Sequence, residues 1–115
     1  MEVGFNSLTE ESALGIVRVE RQRNKLTSLG LGGCSIGPTG AAGIAEYVSG
    51  SGVLKSLNLQ RNNIGDKGAV AIGEALRGNA VLKRLELGGN RLRAKAIRDA
   101  VSGREGFDLS FGMEL

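Results

Sequence analysis

Cys34 is the one side chain in this sequence with the chemistry of a soft nucleophile, and no histidine stands anywhere to activate it. The absence of histidine removes Ser-His-Asp and Cys-His catalysis, and with them the histidine-containing zinc sites. A lone cysteine cannot form an intramolecular disulfide. Without a partner base it reads as a small residue suited to burial. The run Gly30-Leu31-Gly32-Gly33-Cys34-Ser35 carries two glycines of a dinucleotide fingerprint but lacks the third, and no phosphate-binding G-x-x-x-x-G-K-[ST] follows. The carboxylates are scattered, with no pair fixed by spacing. These residues predict no enzyme, no cofactor and no metal. Two basic clusters remain, Arg18, Arg21, Arg23 and Lys25, then Arg91, Arg93, Lys95 and Arg98. Without interleaved aromatics to stack bases they read as solvated surface, with nucleic-acid contact as an alternative.

The elements that must carry these residues follow from a repeat. Leu54, Leu57, Leu59, Asn62 and Ile64 spell L-x-x-L-x-L-x-x-N-x-I. The same skeleton stands 28 residues earlier as Leu26, Leu29, Leu31, Cys34 and Ile36, and 28 later as Leu82, Leu85, Leu87, Asn90 and Leu92. A period of this length is the mark of a solenoid. The chain resembles leucine-rich-repeat proteins, specifically the ribonuclease-inhibitor-like subclass found in NOD-like receptors. Cys34, Asn62 and Asn90 occupy that subclass's "N or C" position. The helical halves Thr39–Glu46 and Lys67–Leu76 match it as well. The resemblance implies an α/β fold: a right-handed solenoid forming a short horseshoe arc, with parallel strands on the concave side and helices on the convex side. It also implies protein binding as the mode of action.

The 115 residues divide into repeats 1–28, 29–56, 57–84 and an irregular 85–115, forming a single domain. In the first repeat Met1, Val3 and Asn6 fall at strand positions. A helix is expected from Thr9 or Glu10 to about Glu20, capped by Thr9, with Leu14, Ile16 and Val19 facing inward. In the second, Pro38 suits a first helical turn, and Ala41, Ile44, Ala45 and Val48 form an apolar stripe. In the third, Asp66 is expected to cap the helix Lys67–Arg77, with Val70, Ile72, Ala75 and Leu76 inside. Gly78-Asn79 closes it. In the last, Ala96–Val101 is helical, and the final strand lies at Phe107–Phe111, which shortens the repeat to 22 residues. A strict count would place Met113 and Leu115 there instead.

Strands stack about 4.8 Å apart, whereas helices need roughly 10 Å, so the stack bends with the strands inside. Inward Asn side chains satisfy backbone groups where the chain leaves each strand. Alternation turns Gly4, Ser28, Gly30, Gly32, Ser56, Asn58, Gln60, Arg84, Glu86 and Gly88 outward, with Arg61 on the same rim. These are the candidate protein-binding residues, although this face has no Trp or Tyr anchor.

Neither end shows a polar cap of the kind solenoids need, which predicts either a segment of a longer scaffold or receptor-type protein or self-association through the ends. A structural subunit docking through those ends is the runner-up. No apolar run is long enough to span a membrane and no signal-peptide pattern opens the chain, so a cytoplasmic location is expected.

Overall fold

The computed structural model describes residues 9–93 and 95–111. Helix and strand alternate throughout: α1 Glu10–Arg23, β1 Ser28–Gly30, α2 Pro38–Gly50, β2 Ser56–Asn58, α3 Gly65–Arg77, β3 Arg84–Glu86, α4 Lys95–Ala100 and β4 Asp108–Ser110. The four strands form one parallel sheet in sequence order. Leu29 pairs with Leu57, Leu57 with Leu85, and Leu85 with Leu109. Each helix packs on the next along the other side. The fold is a leucine-rich-repeat solenoid. The strand expected around Met1, Val3 and Asn6, the outward Gly4 and the alternative strand at Met113 and Leu115 lie outside the described residues.

The core is a set of ladders. Leu29, Leu57 and Leu85 are buried, as are Leu31, Leu59 and Leu87 and, on the descending side, Leu54 and Leu82. Ile36 and Ile64 close the strand-to-helix turn. Each such side chain contributes roughly 1.5–3 kcal/mol through removal from water. Between α2 and α3 the helices approach so closely that a Cβ on Gly68 would strike the Ile64 side chain and lie 2.9 Å from the Ala41 Cβ.

Two expectations on helix faces need correcting. In α1 the buried residues are Ala13, Val17 and Glu20. Leu14 packs against the core as expected, but Ile16 is only half-buried and Val19 is 56% exposed. In α3, Val70 is 49% exposed, and Ala69 and Gly73 complete the inner stripe with Ile72, Ala75 and Leu76. The reason is that the phase of a stacked helix is set by its neighbour. Ala13, Ala41 and Ala69 stand in one 28-residue row, and Glu20, Val48 and Leu76 in another.

The final strand lies within Phe107–Phe111, but its register differs from the expected 22-residue repeat. Asp108 pairs with Arg84, a separation of 24 residues, and Leu87 N–H donates to Ser110 O as Leu59 N–H does to Glu86 O. Phe111 therefore follows in the place of Leu87. The shortening comes from α4, only six residues long, and from a turn through Gly103 and Gly106, both at positive φ. Arg104 lies 4.8 Å from the Phe107 ring centroid and Arg98 5.2 Å from that of Phe111, so both aromatics carry a guanidinium cover.

Polar side chains tie one repeat to the next. Asn62 Oδ1 accepts from Cys34 N–H at 2.9 Å and Ile36 N–H at 3.0 Å. Its Nδ2 donates to the carbonyls of Leu31 and Leu59 at 3.0 Å and of Gln60 at 3.2 Å. Asn90 does the same one repeat on, donating to Leu59 O at 2.7 Å and Leu87 O at 2.9 Å. A second ladder, absent from the sequence reading, sits where helices return to strands. There Asn79 Nδ2 donates to Val48 O at 2.6 Å and Oδ1 accepts from Val81 and Leu82 N–H at 2.7 and 2.9 Å. Ser51 Oγ accepts from Leu54 N–H at 3.0 Å. Arg104 donates to Leu76 O and Leu82 O, closing the last of these turns.

Thr9 caps α1 as expected, accepting from Ser12 N–H. Asp66 does not cap α3, which starts at Gly65 behind Ile64 with no side-chain cap. Asp66 instead reaches forward and accepts from Arg93 N–H at 2.6 Å. Glu10, two periods earlier, reaches forward likewise to Gly37 N–H at 2.6 Å and Gly40 N–H at 3.1 Å, capping α2 from outside.

Asn62→Ala strips two buried N–H groups of their acceptor and three carbonyls of a donor. The expected loss is about 3 kcal/mol or more, with an unchanged m-value in urea denaturation. A loss under about 1 kcal/mol would show that the ladder is not what couples the repeats.

Candidate protein-binding face

The sheet face opposite the helices is built from register-aligned rows. One row is Ser28, Ser56, Arg84 and Asp108; the next is Gly30, Asn58, Glu86 and Ser110. The residues read from the sequence as outward do stand in these rows, with Gly32, Gln60 and Gly88 continuing beyond the strands. Their exposure is uneven. Ser28, Arg61 and Arg84 are exposed, Ser56, Asn58, Gln60 and Glu86 are half-buried, and Gly30, Gly32 and Gly88 are buried. The β1 end of the face is therefore a smooth floor of small residues, and the β3–β4 end carries the charge. Asp108 and Ser110 belong to the same surface and are absent from the sequence reading. Their signal was present in Asp108-Leu109-Ser110, which matches the strand motif once the register is known.

The charged end is held together internally. Arg84 donates to Glu86 Oε1 at 2.7 Å and lies 3.7 Å from Asp108. Gln60 Nε2 donates to the other Glu86 oxygen at 3.1 Å. The hydrogen bond to Glu86, then the charges of Glu86 and Asp108, raise the Arg84 pKa further. A network fixed in this way presents defined donors and acceptors to whatever docks on it.

Beside this face runs a turn row comprising Gly33, Arg61 and Gly89, all at positive φ (71°, 54° and 72°). Arg61 is the member of that row with a side chain. Its stem lies over Gly89, where a Cβ would stand 3.4 Å from the Arg61 Cα and Cγ atoms. Arg61 thus belongs to the rim, not to the floor.

The two basic clusters lie on helices and connections, as the sequence suggested, and four of their eight members are ion-paired in place. Arg21 pairs with Glu46 at 3.3 Å, Arg23 with Glu20 at 3.0 Å, Arg93 with Asp66 at 3.8 Å and Lys95 with Asp99 at 2.9 Å. Cys34 is fully buried, with its Sγ 3.7 Å from Gly32 O, and burial pushes its thiol pKa up, away from a reactive thiolate. Tyr47 is also buried, and its pKa is raised first by burial and then by the Glu20 carboxylate. Among the described residues no group of three or more His, Cys, Asp or Glu side chains could hold a metal ion. No described helix is long and apolar enough to cross a membrane.

Comparison with known proteins agrees with this geometry. A family model described as "Leucine Rich repeat" matches residues 23–45 and 53–73, so these segments are leucine-rich repeats. Among solved structures, one titled "Leiomodin-1 Actin-Binding Site 2 (ABS2)" superposes with a TM-score of 0.87 at 23% identity. The match covers 100% of this chain and 70% of that one, a likeness of fold. Comparison with curated proteins gives no significant match.

The raised pKa values of Cys34 and Tyr47 set a direction for alkaline stability. Below the ordinary thiol pKa of 9.0 both groups are protonated in either state. Above it, the unfolded chain loses protons that the folded chain keeps, so stability falls with a slope of up to about 1.4 kcal/mol per pH unit per group. The melting temperature is expected to drop as pH rises past 9.0 and then past 10.0, the ordinary values of the two groups. Cys34→Ala should remove the first part of that fall. An unchanged profile in this variant would mean that the thiol ionises equally in both states.

Proposed function

We propose that this chain is a non-catalytic protein-interaction module that binds through the concave sheet face. The observation that carries the reading is the Gln60–Glu86–Arg84–Asp108 network, a fixed polar array on a face that no described helix covers. Such an array orients a partner and rejects wrong ones more than it supplies raw affinity. The small residues at Ser28, Gly30, Gly32, Ser56 and Asn58 leave the β1 end open to close approach by a partner backbone. The 28-residue period and the Cys34–Asn62–Asn90 row support the ribonuclease-inhibitor-like subclass. A cytoplasmic site of action fits a free, buried thiol. Actin enters as the first protein to assay, because the leiomodin-1 structure of like fold is titled as an actin-binding site.

The test is the combined variant Asn58→Ala, Gln60→Ala, Arg84→Ala and Glu86→Ala, assayed against actin and against proteins captured by the wild-type chain. It should fold with an unchanged circular dichroism spectrum and lose capture. A variant that folds and still captures its partner would exclude the concave face.

A further inference from the structure

We infer that the outer face of α1 pairs with the same face of a second copy of this chain, the two helices running antiparallel about a two-fold axis. The inference goes beyond the interaction reading, since it uses the helix layer and leaves the concave sheet free. The first observation comes from the 28-residue rows. Ser12, Gly15, Ile16 and Val19 of α1 stand in the rows of Gly40, Gly43, Ile44 and Tyr47 of α2, and of Gly68, Ala71, Ile72 and Ala75 of α3. In α2 these positions receive the preceding helix. A Cβ on Gly43 would lie 2.9 Å from the Leu14 Cδ2 atom, and one on Gly40 would strike the Glu10 side chain. Ile44, Tyr47, Ile72 and Ala75 are accordingly buried. On α1 the same rows line an open groove. Val19 is 56% exposed there, Ile16 is half-buried, and a Cβ on Gly15 would meet nothing within 4 Å. Among the described residues, α1 thus carries a helix-packing face with no helix against it.

The second observation is that this face is complementary to itself. Ser12 and Val19 are equidistant from a point between Gly15 and Ile16, and that point lies close to the middle of the helix Glu10–Arg23. An antiparallel copy centred there sets small residues against large ones, Ser12 against Val19 and Gly15 against Ile16, on both sides of the axis. The small residues let the helices approach, and the branched side chains fill the space between them. The charges favour the same direction. α1 begins with Glu10 and Glu11 and ends with Arg21 and Arg23, so each acidic first turn lies beside the other copy's basic last turn. A parallel pairing would bring like ends together. A head-to-tail contact is not matched, because at the far end of the stack Arg98 lies over the Phe111 ring and Arg104 over the Phe107 ring, guanidinium groups in place of an apolar face. The contact is therefore isologous and closes at two copies. The helix is about 21 Å long, which gives less than a standard interface and a weak dimer. Such a pair presents two concave faces, and a partner with two sites is then held more tightly than by one.

The test is sedimentation velocity of the full chain from about 5 to about 500 µM, where a monomer–dimer equilibrium with a dissociation constant of about 10–100 µM is expected. Val19→Glu should weaken dimerisation by about tenfold or more, with the melting temperature of the dilute monomer unchanged, since Val19 is largely exposed. Gly15→Leu fills the space that Ile16 of the second copy takes. It should abolish the dimer while the monomer's melting temperature stays level or rises, because leucine favours a helix over glycine. In the double variant Ser12→Cys with Val19→Cys, mild oxidation should give a closed, disulfide-linked dimer, with Cys34 fully buried and out of reach. The four-residue concave variant should dimerise like the wild type, which makes failure of this face and failure of the sheet face separate results. A chain that stays monomeric at the highest concentration, a dimer that Val19→Glu and Gly15→Leu leave intact, or a disulfide ladder extending past the dimer would each overturn the inference.

Discussion

Every repeat must turn its chain out of the sheet and into a helix, and the turn leaves amide and carbonyl groups inside an apolar stack. Buried and unpaired, each such group would offset much of what a leucine in the ladder returns. Asn62 and Asn90 resolve this with one side chain each. The amide is both donor and acceptor, so a single inward Asn serves the carbonyls of its own turn and of the turn before it, as with Leu31 O and Leu59 O around Asn62. The contact spans two repeats by construction. Repeats of this kind have no independent core, and their stability is a sum of nearest-neighbour terms. The Asn row is one of those terms made specific, because it works only when successive repeats are in register.

The same solution appears at the opposite end of each repeat with different residues. Asn79 joins Val48 O to the turn before β3, and Arg104 joins Leu76 O and Leu82 O to the turn before β4. Glu10 and Asp66 reach forward from one helix start to the next repeat. The solenoid is thus pinned by polar side chains at three points per repeat, with the leucine ladders between them. This explains how a chain with 3% aromatic residues and no tryptophan forms an ordered core. The ladders need only aliphatic side chains of constant size, and the pins supply uniqueness of register.

What was legible in the sequence follows from this physics. The L-x-x-L-x-L skeleton and the Asn row were readable because both recur at a fixed spacing and each position has one role. The inner face of α1 differs from its hydrophobic pattern at Ile16 and Val19, while Leu14 does pack against the core. Had the row Ala13, Ala41, Ala69 been followed instead, the small residues that let helices approach would have set the phase. Glu20 broke the apolar pattern at a buried position, where a core residue such as Val48 or Leu76 stands in other repeats. The last register was ambiguous because α4 is short and no 28-residue count survives it. Asp108 and Ser110 followed that error out of the candidate face. Asn79 was read as a helix stop, since a single residue between helix and strand gives no sign of whether its side chain turns in or out.

The binding surface divides along the same lines. Within the sheet, charges answer one another: Arg84 to Glu86 and Asp108, and Gln60 to Glu86. Such a network is rigid before any partner arrives, which lowers the ordering cost of docking and sets orientation. Its two carboxylates outnumber its one guanidinium, so the network keeps a net charge of −1. At the β1 end, Gly30 and Gly32 are buried in a smooth floor beside the exposed Ser28, which leaves room for close approach by a partner backbone. A floor of glycine and serine alone could not discriminate between partners, so selectivity falls to the Arg84–Glu86–Asp108 end of the same sheet.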